Sequence, residues 1–187
     1  MMAGRWTWRV LAGALVVLGL PAGVVAQSRE FVSVQGSGAV VFPTKDYGEG
    51  LESGAKLGFE AQVRFTFSRF SVGVGYQDSE VFKGDPDVAD LNASIVAGFV
   101  EPRYVVAVLG DRFAPYVAAR LGYGSLQVRG DVERSEDSFT YGAGGGVMIA
   151  IVPRLSADLG AQYFRADFGD SGAGYFLLRA GLSVGLF

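Results

Sequence analysis

The chain has 187 residues, 50% of them hydrophobic, with 28 glycines, no cysteine, no histidine and a formal charge of −3. Its length suits one ordinary domain rather than two, and its acidity excludes a partner bound through nucleic-acid phosphates. The missing cysteine excludes a disulfide scaffold and a lipoprotein anchor.

At the amino end, Arg5 and Arg9 precede an apolar run from Val10 to Leu20, followed by Pro21 and the small-residue site Val24-Val25-Ala26 before Gln27. This pattern predicts a signal peptide over residues 1–26, removed on export. An anchoring helix is the competing reading, but the run is about half of the roughly 20 residues needed to cross a bilayer. Residues 27–187 then carry 14 basic and 19 acidic residues, a charge of −5.

Along the remainder, apolar and other residues alternate with a period of two in eight segments, which predicts strands with one apolar face. The first runs from Glu30 to Phe42, with Val32, Val34, Val40 and Phe42 in phase, and a polar loop follows from Pro43 to Ala55. The second, Lys56 to Ser68, sets Leu57, Phe59, Ala61, Val63, Phe65 and Phe67 against Glu60, Gln62 and Arg64. Only Ser68-Arg69 separates it from the third, Phe70 to Gln77, which leads into an acidic loop from Asp78 to Asp90.

The fourth strand begins near Leu91, and its alternation of Leu91, Ala93, Ile95, Ala97 and Phe99 would carry Glu101 and Arg103 onto the apolar face. A bulge near Val100 to Pro102 is therefore expected to shift the phase. After a turn at Leu109 to Phe113, the fifth strand places Val117, Ala119, Leu121 and Tyr123 opposite Tyr116, Ala118 and Arg120, and a charged loop from Arg129 to Ser138 ends it. The sixth, Phe139 to Val152, opposes Phe139, Tyr141, Val147 and Ile149 to Gly142, Gly144 and Gly146. A Pro153-Arg154 turn leads to the seventh, from Leu155 to about Phe164, with Leu159 and Tyr163 opposite Asp158 and Gln162. After a loop around Asp167 to Gly174, the eighth sets Phe176, Leu178, Leu182, Val184 and Leu186 against Arg179, Gly181, Ser183 and Gly185.

Volume decides which face points inward. Side chains nearly fill the interior of an eight-stranded barrel, and about five sizeable apolar residues per strand could not fit there. The face rich in Gly, Ser, Gln and a few charges could. The apolar face must point outward, where only lipid makes so large a patch acceptable. Phe42, Phe67, Phe70, Tyr76, Tyr123, Phe139 and Tyr163 fall near strand ends, as interfacial girdles require. The fold class expected is all-β: a closed antiparallel eight-stranded up-and-down transmembrane β-barrel.

The strings "EPRYVV" from Glu101, "APYVAARLGYG" from Ala114, "YGAGGGV" from Tyr141, "PRLSADLGAQY" from Pro153 and "LLRAGLSVGLF" from Leu177 resemble strands four to eight of a known family. That family is the small outer-membrane β-barrels of the OmpA-like and opacity-protein-like porin superfamily. The resemblance implies a cell outer-membrane location, with outer-membrane lipid and lipopolysaccharide as surroundings. It also implies a carboxy-terminal signal for the barrel-assembly machinery, here Arg179, Gly181, Val184, Leu186 and Phe187. Phe187 falls out of phase with the outward face, so Leu186 or Phe187 is the terminal anchor. No peptidoglycan-binding extension is expected after the last strand.

The candidate chemistry is mostly inside. Without histidine, a serine has no ordinary base, so a lipid-modifying enzyme is not expected, nor any cofactor or metal. Asp85, Asp87 and Asp90 lack the spacing of a calcium loop. Glu60, Arg64, Arg120, Asp158 and Arg179 share the inward face and must pair, helped by Gln62, Gln162, Glu101 and Arg103. Such a network is either a plug that fixes the barrel's shape or, as the resemblance allows, a gate for a narrow passive pore. Acidic residues also mark the loops: Asp46, Glu49 and Glu52, then Asp78 and Glu80, then Asp131, Glu133, Glu136 and Asp137. The expected role is structural or surface-interacting and non-enzymatic, with an extracellular ligand that the residues do not name. A passive pore is the first rival, and a soluble periplasmic ligand-binding barrel the second.

Overall fold

A computed structural model describes residues 31–44, 55–83, 92–110, 112–129, 134–168 and 171–186. The predicted signal peptide, the aspartates Asp85, Asp87 and Asp90, the loop acids Asp46, Glu49, Glu52, Asp131 and Glu133, and Phe187 lie outside them. The described strands are β1 (Val32–Pro43), β2 (Lys56–Phe67), β3 (Phe70–Lys83), β4 (Asn92–Val105), β5 (Phe113–Arg129), β6 (Arg134–Val152), β7 (Leu155–Phe168) and β8 (Ser171–Gly185). Each pairs antiparallel with its neighbours in sequence, and β8 returns to β1 to close the barrel.

The register fixes the barrel's girth. Hydrogen-bonded partners traced from Val41 run through Leu177, Gln162, Gly144, Ala118, Arg103, Ser71 and Thr66 back to Phe31. The chain therefore closes on itself with a stagger of ten residues. Eight strands with that stagger tilt by about 40° and enclose a space that side chains can fill.

The alternation sorts the side chains as expected. Leu57 is 72% exposed, Phe139 69% and Leu121 67%, whereas Gln35, Gln62 and Gln162 are buried. This inverts a water-soluble barrel, whose apolar residues would point inward. The expected aromatic girdles are also present. At the turn end Phe31 packs edge-on against Phe67, ring centroids 5.0 Å apart, with Phe70 exposed nearby. Towards the loop end Tyr123 meets Phe139 at 5.0 Å and Tyr163 meets Phe176 at 4.9 Å.

Three expectations are corrected. The fourth strand has no bulge between Val100 and Pro102, because it keeps one register with β5 from Asn92↔Arg129 to Val105↔Tyr116. Ile95, Ala97 and Phe99 therefore share the inward face with Glu101 and Arg103, and all five are buried. The register shifts lie elsewhere, between Glu80 and Phe82 and between Ala150 and Val152. Several segments expected as loops are also strand. Asp78 to Lys83 continues β3, residues 134–138 open β6, and β7 and β8 reach Phe168 and Ser171. Finally, the inward face is not only small and polar, since Val41, Phe99, Phe164, Tyr175 and Leu177 are buried there.

At the other end the connections are short, and the backbone shows what they cost. Ser68 takes φ 60°, a left-handed conformation that suits glycine better. Ser68→Gly is expected to raise the free energy of urea unfolding by about 0.5–1 kcal/mol without altering the fold. An unchanged or lower midpoint would show that the serine is held there by a compensating contact.

Candidate functional site

The lumen holds two layers. Towards the loop end, Ala39, Val41, Ile95, Ala97, Phe164, Ala166, Tyr175 and Leu177 form an apolar cluster. Phe164 and Tyr175 stack within it, ring centroids 5.2 Å apart. Beneath it, towards the turn end, four arginines meet three carboxylates: Arg64, Arg103, Arg120 and Arg179 with Glu60, Glu101 and Asp158. One positive charge is left over among these described residues.

Glu101 is the hub and is wholly buried (0% exposed). Its Oε1 accepts from Arg103 Nε at 2.6 Å, Arg64 Nη2 at 2.8 Å and Arg179 Nη2 at 3.1 Å. Its Oε2 accepts from Arg120 Nη2 at 2.6 Å, Arg120 Nε at 2.9 Å, Arg179 Nη1 at 2.9 Å and Gln162 Nε2 at 3.0 Å. One carboxylate from β4 thus binds guanidiniums carried by β2, β4, β5 and β8. Charged donors on a charged acceptor make the strongest hydrogen bonds available, and they offset the removal of this carboxylate from water.

The other two carboxylates flank the hub. Glu60 receives both terminal nitrogens of Arg120, with Arg120 Nη2 at 3.1 Å from Oε2, and Arg179 Nη1 at 3.3 Å. Asp158 accepts from Tyr116 Oη at 2.6 Å and Gln35 Nε2 at 2.6 Å, and Arg103 Nη1 lies 2.8 Å away. Arg179 Nη2 donates to Tyr116 Oη at 3.1 Å, which ties this corner to the hub. The guanidinium carbons also sit over rings, Arg120 at 3.8 Å from the Phe99 centroid and Arg103 at 4.4 Å from that of Tyr116.

Glycine makes the room. A Cβ on Gly146 would meet the Tyr116 hydroxyl, one on Gly142 the Phe164 ring, and one on Gly144 the backbone and side chain of Gln162. The glycine face of β6 is thus the hollow into which bulky lumen groups of β5 and β7 fit.

All five predicted lumen residues, Glu60, Arg64, Arg120, Asp158 and Arg179, are buried and lie in one network. Glu101, expected only as a helper, is the centre. The available signal was its parity with Arg103, since two charges on a lipid face are far costlier than three apolar side chains inside. Of the predicted carboxy-terminal signal, Val184 and Leu186 are exposed outward, Gly181 lines the lumen beside Ser37, and Arg179 belongs to the network. No group of three or more potential ligand side chains placed for a metal occurs among the described residues.

No protein-family model matches the chain, and no curated protein matches it in sequence. Solved structures do match it in shape. Neisserial surface protein A is 18% identical, with a TM-score of 0.70 over 86% of this chain and 100% of that one. Ail, the attachment invasion locus protein of Yersinia pestis, is 18% identical, with a TM-score of 0.57 over 83% and 99%. Ail in complex with the heparin analogue sucrose octasulfate is 19% identical, with a TM-score of 0.53 over 81% and 97%. At such identities the likeness is one of fold, and the fold is the closed eight-stranded barrel of small outer-membrane proteins.

Proposed function

We propose that this is a non-enzymatic integral outer-membrane protein, exported by a cleaved signal peptide, whose barrel is closed to ions and whose work is done at its loop end. The observation that carries this reading is the double filling of the lumen, an apolar cluster above a buried ion-pair network. A water path would have to cross both layers. The outward apolar faces speak against a soluble periplasmic barrel.

The loop end is strongly acidic. Residues 45–56, 78–90, 129–137 and 165–170 together carry 14 acidic and 6 basic side chains, a charge of −8. The name of Ail speaks of attachment, and its complex holds a sulfated polyanion. The opposite charge of this chain's loops favours a basic protein surface, or divalent cations that bridge to lipopolysaccharide. The test is planar-bilayer recording of detergent-refolded protein, with folding checked by its heat-sensitive mobility on gels. Silence is expected. Discrete steps of reproducible size, altered by Arg120→Ala or Glu60→Gln, would make the passive pore the primary reading instead.

A further inference from the structure

The three connections at the turn end repeat one arrangement. Arg69, Arg112 and Arg154 each stand immediately before the first residue of a strand: Phe70 of β3, Phe113 of β5 and Leu155 of β7. In each case the arginine's carbonyl accepts a hydrogen bond from the next strand, Val105 N–H to Arg69, Ala150 N–H to Arg112 and Gly185 N–H to Arg154, all at 2.8 Å. Three arginine backbones are thereby pinned at equivalent points around one rim.

Depth and charge give the rim its partner. Phe67 and Phe70 beside Arg69, Leu109 and Phe113 around Arg112, and Val152 beside Arg154 are exposed on the outside. The arginines therefore sit where the apolar belt ends, at the level of lipid headgroups. The three turns carry one acid, Asp111, against these three bases, a charge of +2, opposite in sign to the −8 of the loop end. Arg154 also adopts φ 69°, where glycine would be unstrained.

We infer that this rim is a docking ring for the phosphate headgroups of anionic phospholipid, in the leaflet opposite the acidic loops. A guanidinium fork matches a phosphodiester bidentately, and pinned backbones reduce the ordering needed to engage it. The inference rests on the membrane-spanning reading above.

The experiment adds phosphatidylglycerol or phosphatidylcholine to the detergent-extracted protein and counts retained lipid by native mass spectrometry, after insertion has been checked in vesicles of each lipid. Phosphatidylglycerol should be preferred, and Arg69→Gln, Arg112→Gln and Arg154→Gln combined should weaken its retention by roughly fivefold per engaged arginine. The corresponding triple lysine variant should keep most of the preference, and Arg165→Gln at the loop end should leave it intact. A triple glutamine variant that is folded and equally selective would overturn the ring, as would an equal loss on Arg165→Gln or displacement of the lipid by millimolar inorganic phosphate. Wild-type protein that enters neither vesicle would remove the membrane reading and the ring with it. Insertion without a preference would remove the ring alone.

Discussion

Glu101→Gln is expected to lower the unfolding free energy of the barrel by about 3–5 kcal/mol, read from urea midpoints by far-ultraviolet circular dichroism in detergent. The substitution keeps the shape but removes the charge on which Arg64, Arg103, Arg120 and Arg179 converge. Four buried guanidiniums would then share Glu60 and Asp158, leaving two charges without a counterion. Glu60→Gln should be milder, because Arg120 and Arg179 both retain Glu101. Equal losses for the two variants would show that the network has no hub.

Gly144→Ala should be nearly as damaging although it adds one carbon. Its Cβ would press against the carbonyl of Ala161 and lie 2.6 Å from Gln162 Cα, both backbone atoms of β7. Backbone in a hydrogen-bonded ladder cannot step aside, so either β6 and β7 separate or Gln162 leaves Glu101. A loss of about 3 kcal/mol or a marked fall in refolding yield is expected. Gly36→Ala is the matched control, since nothing lies within 4 Å of its added carbon, and it should stay within about 0.5 kcal/mol of wild type. Similar behaviour of the two variants would mean that the β6 hollow is not filled as described.

Where a strand has lipid on one side and a polar lumen on the other, its period of two can be read directly, and seven strands were legible on that basis. The fourth was not, because Ile95, Ala97 and Phe99 point inward while Val100 and Pro102 point outward, so both faces are apolar and the pattern fits either phase. Beyond the belt the signal vanishes for the opposite reason. At Asp78 to Glu80 and residues 134–138 every residue is polar, and pairing continues with no hydrophobic alternation to announce it. Parity alone gives Glu60, Arg64, Arg120, Asp158 and Arg179, whereas Glu101 and Arg103 are placed inward only through a bulge that β4 does not have. The network's centre does not follow from parity, since which carboxylate lies within reach of four arginines depends on the stagger between strands.

That stagger also bears on how the barrel is completed. The hub on β4 takes ligands from β2, β5 and β8, and Arg179 reaches it only when β8 has curled round to meet β1. A sheet still open along that seam would hold the Arg179 guanidinium away from Glu60 and Glu101, the carboxylates that offset its removal from water. The interior ions thus act as a clasp that favours the closed cylinder over a sheet left open between β8 and β1.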